Sequence, residues 1–281
     1  MSKSDTVTIS DNPAFESPRD RARFRRMPGF AAVDLMDASF RDHHFAPHTH
    51  DELMLGVMRA GVKRFVREGR AYTVGPGGIS VVNPGEVHTG GRFEGERLVY
   101  TALYVPQSFY ALAGLSPQTW FRPGVAGDAD IWRLFMSAAV ADADPLKAQE
   151  DLLEALARLG RHGDRRRAHP QRDCSRSAAR AIDYVHANYA ETFTIADLSG
   201  LAGITPRHMI RSFRKATGLP PHAYLRQVRI ERAKAMLAGD MQLAEIALAT
   251  GFADQPHFTK AFRQIFGTTP GRYRTDVAGA S

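Results

Sequence analysis

Two sets of residues in this sequence have the types and spacing to carry chemistry. The first is a set of imidazoles: His48 and His50 flank Thr49, and His88 closes the run Asn83-Pro84-Gly85-Glu86-Val87-His88. Brought together, three imidazoles could hold zinc or iron and leave a coordination position open. Without a metal they could line a pocket for a small effector, or serve as ordinary structural groups. The second set is mainly cationic. Arg207, His208, Arg211, Arg214 and Lys215 fall in one segment and Gln255, His257, Lys260 and Arg263 in another, each interleaved with an apolar stripe. Arginine and lysine suit phosphates and guanine edges and glutamine suits adenine, so these segments have the chemistry of duplex DNA readers.

The elements that must position the cationic set repeat. Leu198-Ser199 and Gly203-Ile204 precede Met209, Phe213, Gly218, Pro221 and Tyr224; Ile246-Ala247 and Gly251-Phe252 precede Phe258, Phe262, Gly267, Pro270 and Tyr273 in the same order. Each copy reads as helix, short turn, helix. Thr194 and Asp197 have capping-box spacing, Gly203 ends that helix, and Thr205 caps the next with Pro206 at its first position. Met209 and Phe213 lie one turn apart and face inward, as do Phe258, Phe262 and Ile265 in the second copy. Residues 221–238, bounded by Pro221 and Gly239, form a helical connector that fixes the separation of the two units, as a reader of successive major grooves requires.

The histidines sit in a different context. From Ala31 to Val105, short apolar segments alternate with turns: Leu53–Met58, Lys63–Val66, Ala71–Val74, Ile79–Val82 and Leu98–Val105, broken at Gly61, Gly69, Gly75 to Gly78 and Pro84-Gly85. This is the pattern of an antiparallel sandwich or small barrel. In the last segment both alternating faces are apolar, so that strand is covered on both sides. Helical periodicity follows in Ile131, Leu134 and Phe135 and in Leu152, Leu153, Leu156 and Leu159. The second stripe either packs on the barrel or pairs two chains.

Charge is segregated. Of the formal net +7, residues 176–275 carry +7 and residues 161–175 carry +3, leaving −2 on residues 1–160 and −1 at Asp276. A polyanion therefore meets the C-terminal part. The single cysteine, Cys174, excludes an internal disulfide framework and a cysteine-rich zinc finger. The first residues lack the apolar run of a signal peptide and no later stretch is long and apolar enough to span a membrane, so the expected location is cytoplasmic. No GxGxxG, Walker loop or nucleophile elbow is present to support an enzyme.

The run GFADQPHFTKAFRQIFGTTPGRYR, starting at Gly251, resembles the signature of the AraC/XylS family of bacterial transcription regulators, and residues 177–275 are similar to that family's DNA-binding domain. The resemblance implies base contacts by Arg207, Ile210 and Arg211 in the first unit and by Gln255, Pro256, His257 and Lys260 in the second. The two histidine motifs resemble those of a cupin barrel, as in the sensor domains of many AraC-type regulators. Metal-binding cupins add a glutamate shortly after the HxH pair. Met54 and Leu55 stand at those positions here, while Asp51 and Glu52 come too early.

The expected protein is an α+β two-domain chain: a flexible basic arm (1–29), an antiparallel cupin-like barrel with helices (30–160), a linker (161–175) and an all-α tandem helix-turn-helix domain (176–275). The expected function is effector-controlled transcription regulation without catalysis. The effector pocket is assigned to His48, His50, His88 and Tyr100, with no metal and no other cofactor. The partners are promoter DNA, a small-molecule effector, a second copy of the chain paired through the Leu156 stripe, and RNA polymerase.

Overall fold

The computed structural model describes residues 20–67, 69–122, 124–125, 128–162 and 175–278. Its N-terminal half is an eight-stranded antiparallel sheet: β1 (Arg21–Met27), β2 (Phe30–Phe40), β3 (His44–His48), β4 (Leu53–Arg67), β5 (Arg70–Val74), β6 (Ile79–Val82), β7 (His88–Val105) and β8 (Gly124–Val125). The order is β1-β2-β7-β4-β6-β8, with β3 also on β7 and β5 on β4. The segments read as separate strands around Gly61 are one strand, β4, whose register against β7 shifts repeatedly between Met58 and Lys63. Such irregularities bend a strand, letting one half of β4 pair with β6 and the other with β5. Gly61, at φ 71°, stands at this bend, where a Cβ would lie 2.3 Å from the Arg97 carbonyl oxygen.

The two faces of the sheet are both apolar, as the two-sided pattern of residues 98–105 requires. Val33, Leu35, Leu55, Val57, Leu103 and Val105 form one core with helices α1 (Phe109–Leu112), α2 (Ala129–Ala138) and α3 (Pro145–Arg161). Asp144 caps α3, accepting from the Lys147 N–H at 3.0 Å, with Pro145 at the first helical position. Leu152, Leu156 and Leu159 are fully enclosed in this core. Three of the four leucines of the stripe proposed for pairing two chains are therefore consumed inside one, with Leu153 half-buried beside them, so Leu156 is not available to pair two chains.

The basic arm expected over residues 1–29 also needs correction. Ala22 and Phe24 alternate with arginines and are buried, and Arg21 to Arg26 pair in register with Ser39 to Asp34 as an edge strand. Arg25 meets Asp37 at 3.0 Å and Arg26 meets Asp34. The charge run hid a strand because its cations are matched by acids on the next strand. Residues 1–19 of that arm, and 163–174 of the expected linker, lie outside the described residues.

The C-terminal half is helical: α4 (Arg176–Ala187), α5 (Ile195–Ala202), α6 (Pro206–Thr217), α7 (Pro221–Met236), α8 (Leu243–Ala249), α9 (Gln255–Phe266) and α10 (Pro270–Ala278). Thr194 and Asp197 form the capping box, and Gly203 closes α5 at φ 66°. The first unit has its own core of Ala181, Val185, Leu198, Met209, Phe213 and Val228. The second shares a core with the sheet, because Phe258, Phe262, Phe266 and Tyr273 belong to one cluster with Phe24, Met36, Phe40 and Tyr100. The second DNA-binding unit is thus docked on the sheet domain. Phe24 packs 4.9 Å from Tyr273 and 6.1 Å from Phe266, ring centroid to centroid, and its backbone N–H donates to Asp276 at 3.2 Å.

Candidate functional site

The two recognition helices present their cationic faces as the periodicity requires. Thr205 caps α6 by accepting from the His208 N–H, Asp254 caps α9 by accepting from the His257 N–H at 2.7 Å, and both have proline at the first turn. Met209 and Phe213 are buried under α6, which leaves Arg207, Ile210 and Arg211 exposed. Gln255, Pro256, His257 and Lys260 are likewise exposed on α9. The surroundings of the two helices differ, however. Gln255, Pro256, Lys260 and Arg263 face Asp20, Asp42, His43 and His44 of the sheet domain across a cleft of about 970 Å³.

The three histidine motif residues converge. His48 ends β3, His88 begins β7 directly opposite it, and His50 follows in the connection to β4. Ring centroids are 4.2 Å apart for His48 and His88 and 4.9 Å for His50 and His88. The Nδ1–H of each ring donates to a backbone carbonyl: His48 to Ala46 at 2.8 Å, His50 to Glu52 at 2.9 Å and His88 to Glu86 at 3.1 Å. A carbonyl only accepts, so these bonds set the tautomer and leave Nε2 as the unprotonated nitrogen. Burial, with His50 beside it, pushes His48 down to about 3; burial pushes His50 down to about 4 and His88 well below the usual range. All three rings are therefore neutral at pH 7.

His48 and His50 form one wall of a cavity of about 370 Å³ between the sheet and the C-terminal helices. Its sheet side adds Arg26, Asp34, Glu52 and Tyr104, and its helical side Gln227, Glu231, Lys234, Phe266 and Tyr273. Lys234 bridges the two, 3.2 Å from Asp34 and 3.9 Å from Glu52. Burial alone would lower its ammonium pKa, but Tyr273, Asp34 and Glu52 outweigh that and hold it above the ordinary value. Burial raises Glu231 to about 7 although the Gln227 amide donates to it at 2.7 Å. Gln227 Nε2 also donates to the Thr49 carbonyl at 2.6 Å, and its Oε1 accepts from the Thr49 N–H at 3.4 Å. The residue between two of the histidines is thereby tied to the connector helix α7.

Sequence reasoning placed Tyr100 in this pocket. It is instead sealed in the core, with the Lys63 ammonium 4.9 Å from its ring centroid. Tyr104, four residues along on the same strand face, takes the wall position, with its ring centroid 5.5 Å from that of His50. His88 lies behind the wall, completing the trio. Lys234, Gln227 and Glu231 carried no signal, since nothing in a helical connector foretells that it roofs a distant pocket.

A sheet-built pocket joined to two helix-turn-helix units defines a ligand-responsive DNA-binding protein. Residues 30–166 match the family model of an AraC-like ligand binding domain and residues 198–276 that of a helix-turn-helix domain. The chain belongs to the AraC-type transcriptional regulators. It is 27% identical over 225 residues to YbfI of Bacillus subtilis, described as an uncharacterized HTH-type transcriptional regulator, covering 76% of this chain and 81% of that one. It is 23% identical over 256 residues to the HTH-type transcriptional activator RhaS of Klebsiella pneumoniae, covering 84% and 88%. ToxT from Vibrio cholerae has the same two-domain fold, with a TM-score of 0.55 at 11% identity over 94% of this chain and all of that one. Unsaturated-fatty-acid-bound ToxT gives a TM-score of 0.53 at 13% identity, covering 88% and 95%. Among the described residues no helix is long and apolar enough to cross a membrane.

Proposed function

We propose that the effector of this regulator occupies the cavity between sheet and helices, and that docking of the second helix-turn-helix unit on the sheet domain is the state with low DNA affinity. The observation that carries this reading is the position of α9. Its base-reading residues Gln255, Pro256 and Lys260 look onto Asp20 and Asp42, which occupy the side from which a duplex would approach and carry the charge of its phosphates. The first unit stays open, so the docked protein retains half of its reading surface. A ligand that binds the docked and released states unequally shifts the balance between them, and only to the extent of that difference.

The lining narrows the effector class. Asp34, Asp51, Glu52 and Glu231 outnumber Arg26 and Lys234 around the cavity, and Lys234 is already engaged by Asp34 and Glu52. Such a site suits a small molecule that donates hydrogen bonds, an amine or a polyhydroxy compound, stacked on Tyr104, Phe266 or Tyr273. It is a poor match to a fatty acid of the kind bound by ToxT. The reading requires no catalytic group, places the protein in the cytoplasm with the genome, and makes RNA polymerase the partner of an occupied promoter.

Phe24 tests the docking step, since it touches Phe266 and Tyr273 and no DNA-reading residue. Phe24→Ala is expected to keep the fold and to raise full-length affinity for a selected operator by at least about five-fold, as the competent fraction grows. Equal or weaker binding by a folded Phe24→Ala protein would refute docking as a brake. For readout, Arg211→Ala is expected to cost roughly 1–3 kcal/mol on the operator and less on random duplex. Equal losses on both, measured across a salt series, would reduce Arg211 to a phosphate contact.

A further inference from the structure

We infer that His48, His50 and His88 form a binding site for one divalent transition metal of the zinc type, with its open coordination side turned to the cavity beneath α7. Missing the cupin glutamate, the sequence points to a metal-free pocket; the geometry of the three rings argues the other way. One ring nitrogen from each lies within 4.8 Å of the other two. Tetrahedral zinc, with bonds of about 2.0–2.1 Å, needs nitrogens about 3.4 Å apart. The rings stand on a strand end, a connection and a strand start, and small rotations close the remaining gap.

Two features of the geometry prepare these rings for a metal. Each donates its Nδ1–H to a backbone carbonyl, the arrangement that orients a metal-bound imidazole and raises its basicity. In addition, His50 Nε2 is buried without a hydrogen-bond partner. A buried acceptor left unmatched destabilises the fold, and a metal ion would satisfy it.

Met54, where a glutamate ligand would stand, is buried in the apolar core and contributes no donor. That leaves three protein ligands, the number found in open rather than purely structural zinc sites. Among the described residues Lys63 acts on all three rings, and its charge opposes a dication. Because Thr49 lies between two ligands and is bonded to Gln227 on α7, closing the ring of nitrogens would pull on the connector between the DNA-binding units.

The test uses tag-free full-length protein, stripped with chelator and then dialysed against zinc or cobalt. About one equivalent per chain should survive desalting, with a raised melting temperature and cobalt d–d bands of a low-coordinate nitrogen site. His50→Ala and His88→Ala should each lose more than the roughly 10- to 100-fold in affinity that removal of an outer-shell partner costs. His44→Ala, an exposed residue outside the trio, should bind as the unmodified protein does. Metal bound equally by the His50 and His88 variants would overturn the site. So would substoichiometric binding by the unmodified protein at micromolar metal, a result that stands even if a variant fails to fold.

Discussion

Stripped of metal, the protein is expected to lose at least about 2 kcal/mol of stability between about pH 7.5 and about pH 5. His48, His50 and His88 have depressed pKa values in the folded state, two of them at about 3 and about 4. In the unfolded chain they titrate near 6.5 and bind protons that the folded state refuses. Stability from a depressed base is fully present above the unfolded pKa and drains away as pH falls toward the folded one. By pH 5 His48 and His50 each cost roughly 2 kcal/mol, and His88 adds to the loss in the same direction. Glu231, raised to about 7, works in the opposite sense, because the folded state takes up its proton first and gains as pH falls. It returns about 2 kcal/mol of the histidine loss over the same range. Denaturant midpoints in chelator at the two pH values measure the net, and Glu231→Gln should steepen the loss. A flat profile would mean that the three rings are accessible to water and charge freely, contrary to their burial.

The C-terminal half was almost fully legible because its information is local. Caps at Thr194 and Thr205, prolines at helix starts and the left-handed Gly203 act within one turn of the residue that supplies them. The sheet was legible in its alternation but not in its continuity. Gly61 looks like the end of a strand, yet it marks a bend within β4, and only pairing with β7 decides between the two. What stayed hidden is long-range. Phe24 in an arginine run, Leu156 in a stripe with two candidate partners and Lys234 in a connector each acquire meaning from an element far along the chain. The Tyr100 and Tyr104 exchange has the same origin. Both lie on one face of β7, and depth along the strand relative to α7 decides which reaches the cavity.

The histidine trio also depends on a neighbour that does no ligand chemistry, and breaking it should produce the largest single-residue effect on stability. Glu86, two residues before His88, is 2% exposed and pairs with Arg67, itself 3% exposed. Arg67 donates onward to the Val81 carbonyl at 3.1 Å and the Phe121 carbonyl at 3.2 Å. The other carboxylate oxygen accepts from the Asn83 backbone N–H at 3.1 Å and side-chain amide at 3.2 Å, and Asn83 Oδ1 accepts from the Phe121 N–H at 2.8 Å. The network clamps β4, the end of β6 and the turn that delivers His88. Glu86→Ala leaves a guanidinium buried without its counter-charge and is expected to cost about 3–5 kcal/mol. Against the roughly 5–15 kcal/mol by which ordinary domains are stable, that brings the sheet domain near its limit. Removing both charges with Arg67→Met and Glu86→Leu should restore most of the loss, because the penalty comes from the orphaned cation rather than from the missing pair. Urea unfolding of the single and double variants decides it. A Glu86→Ala protein as stable as the parent would show that water reaches Arg67. A double variant no better than the single would show that the turn depends on the carboxylate's own hydrogen bonds to Asn83.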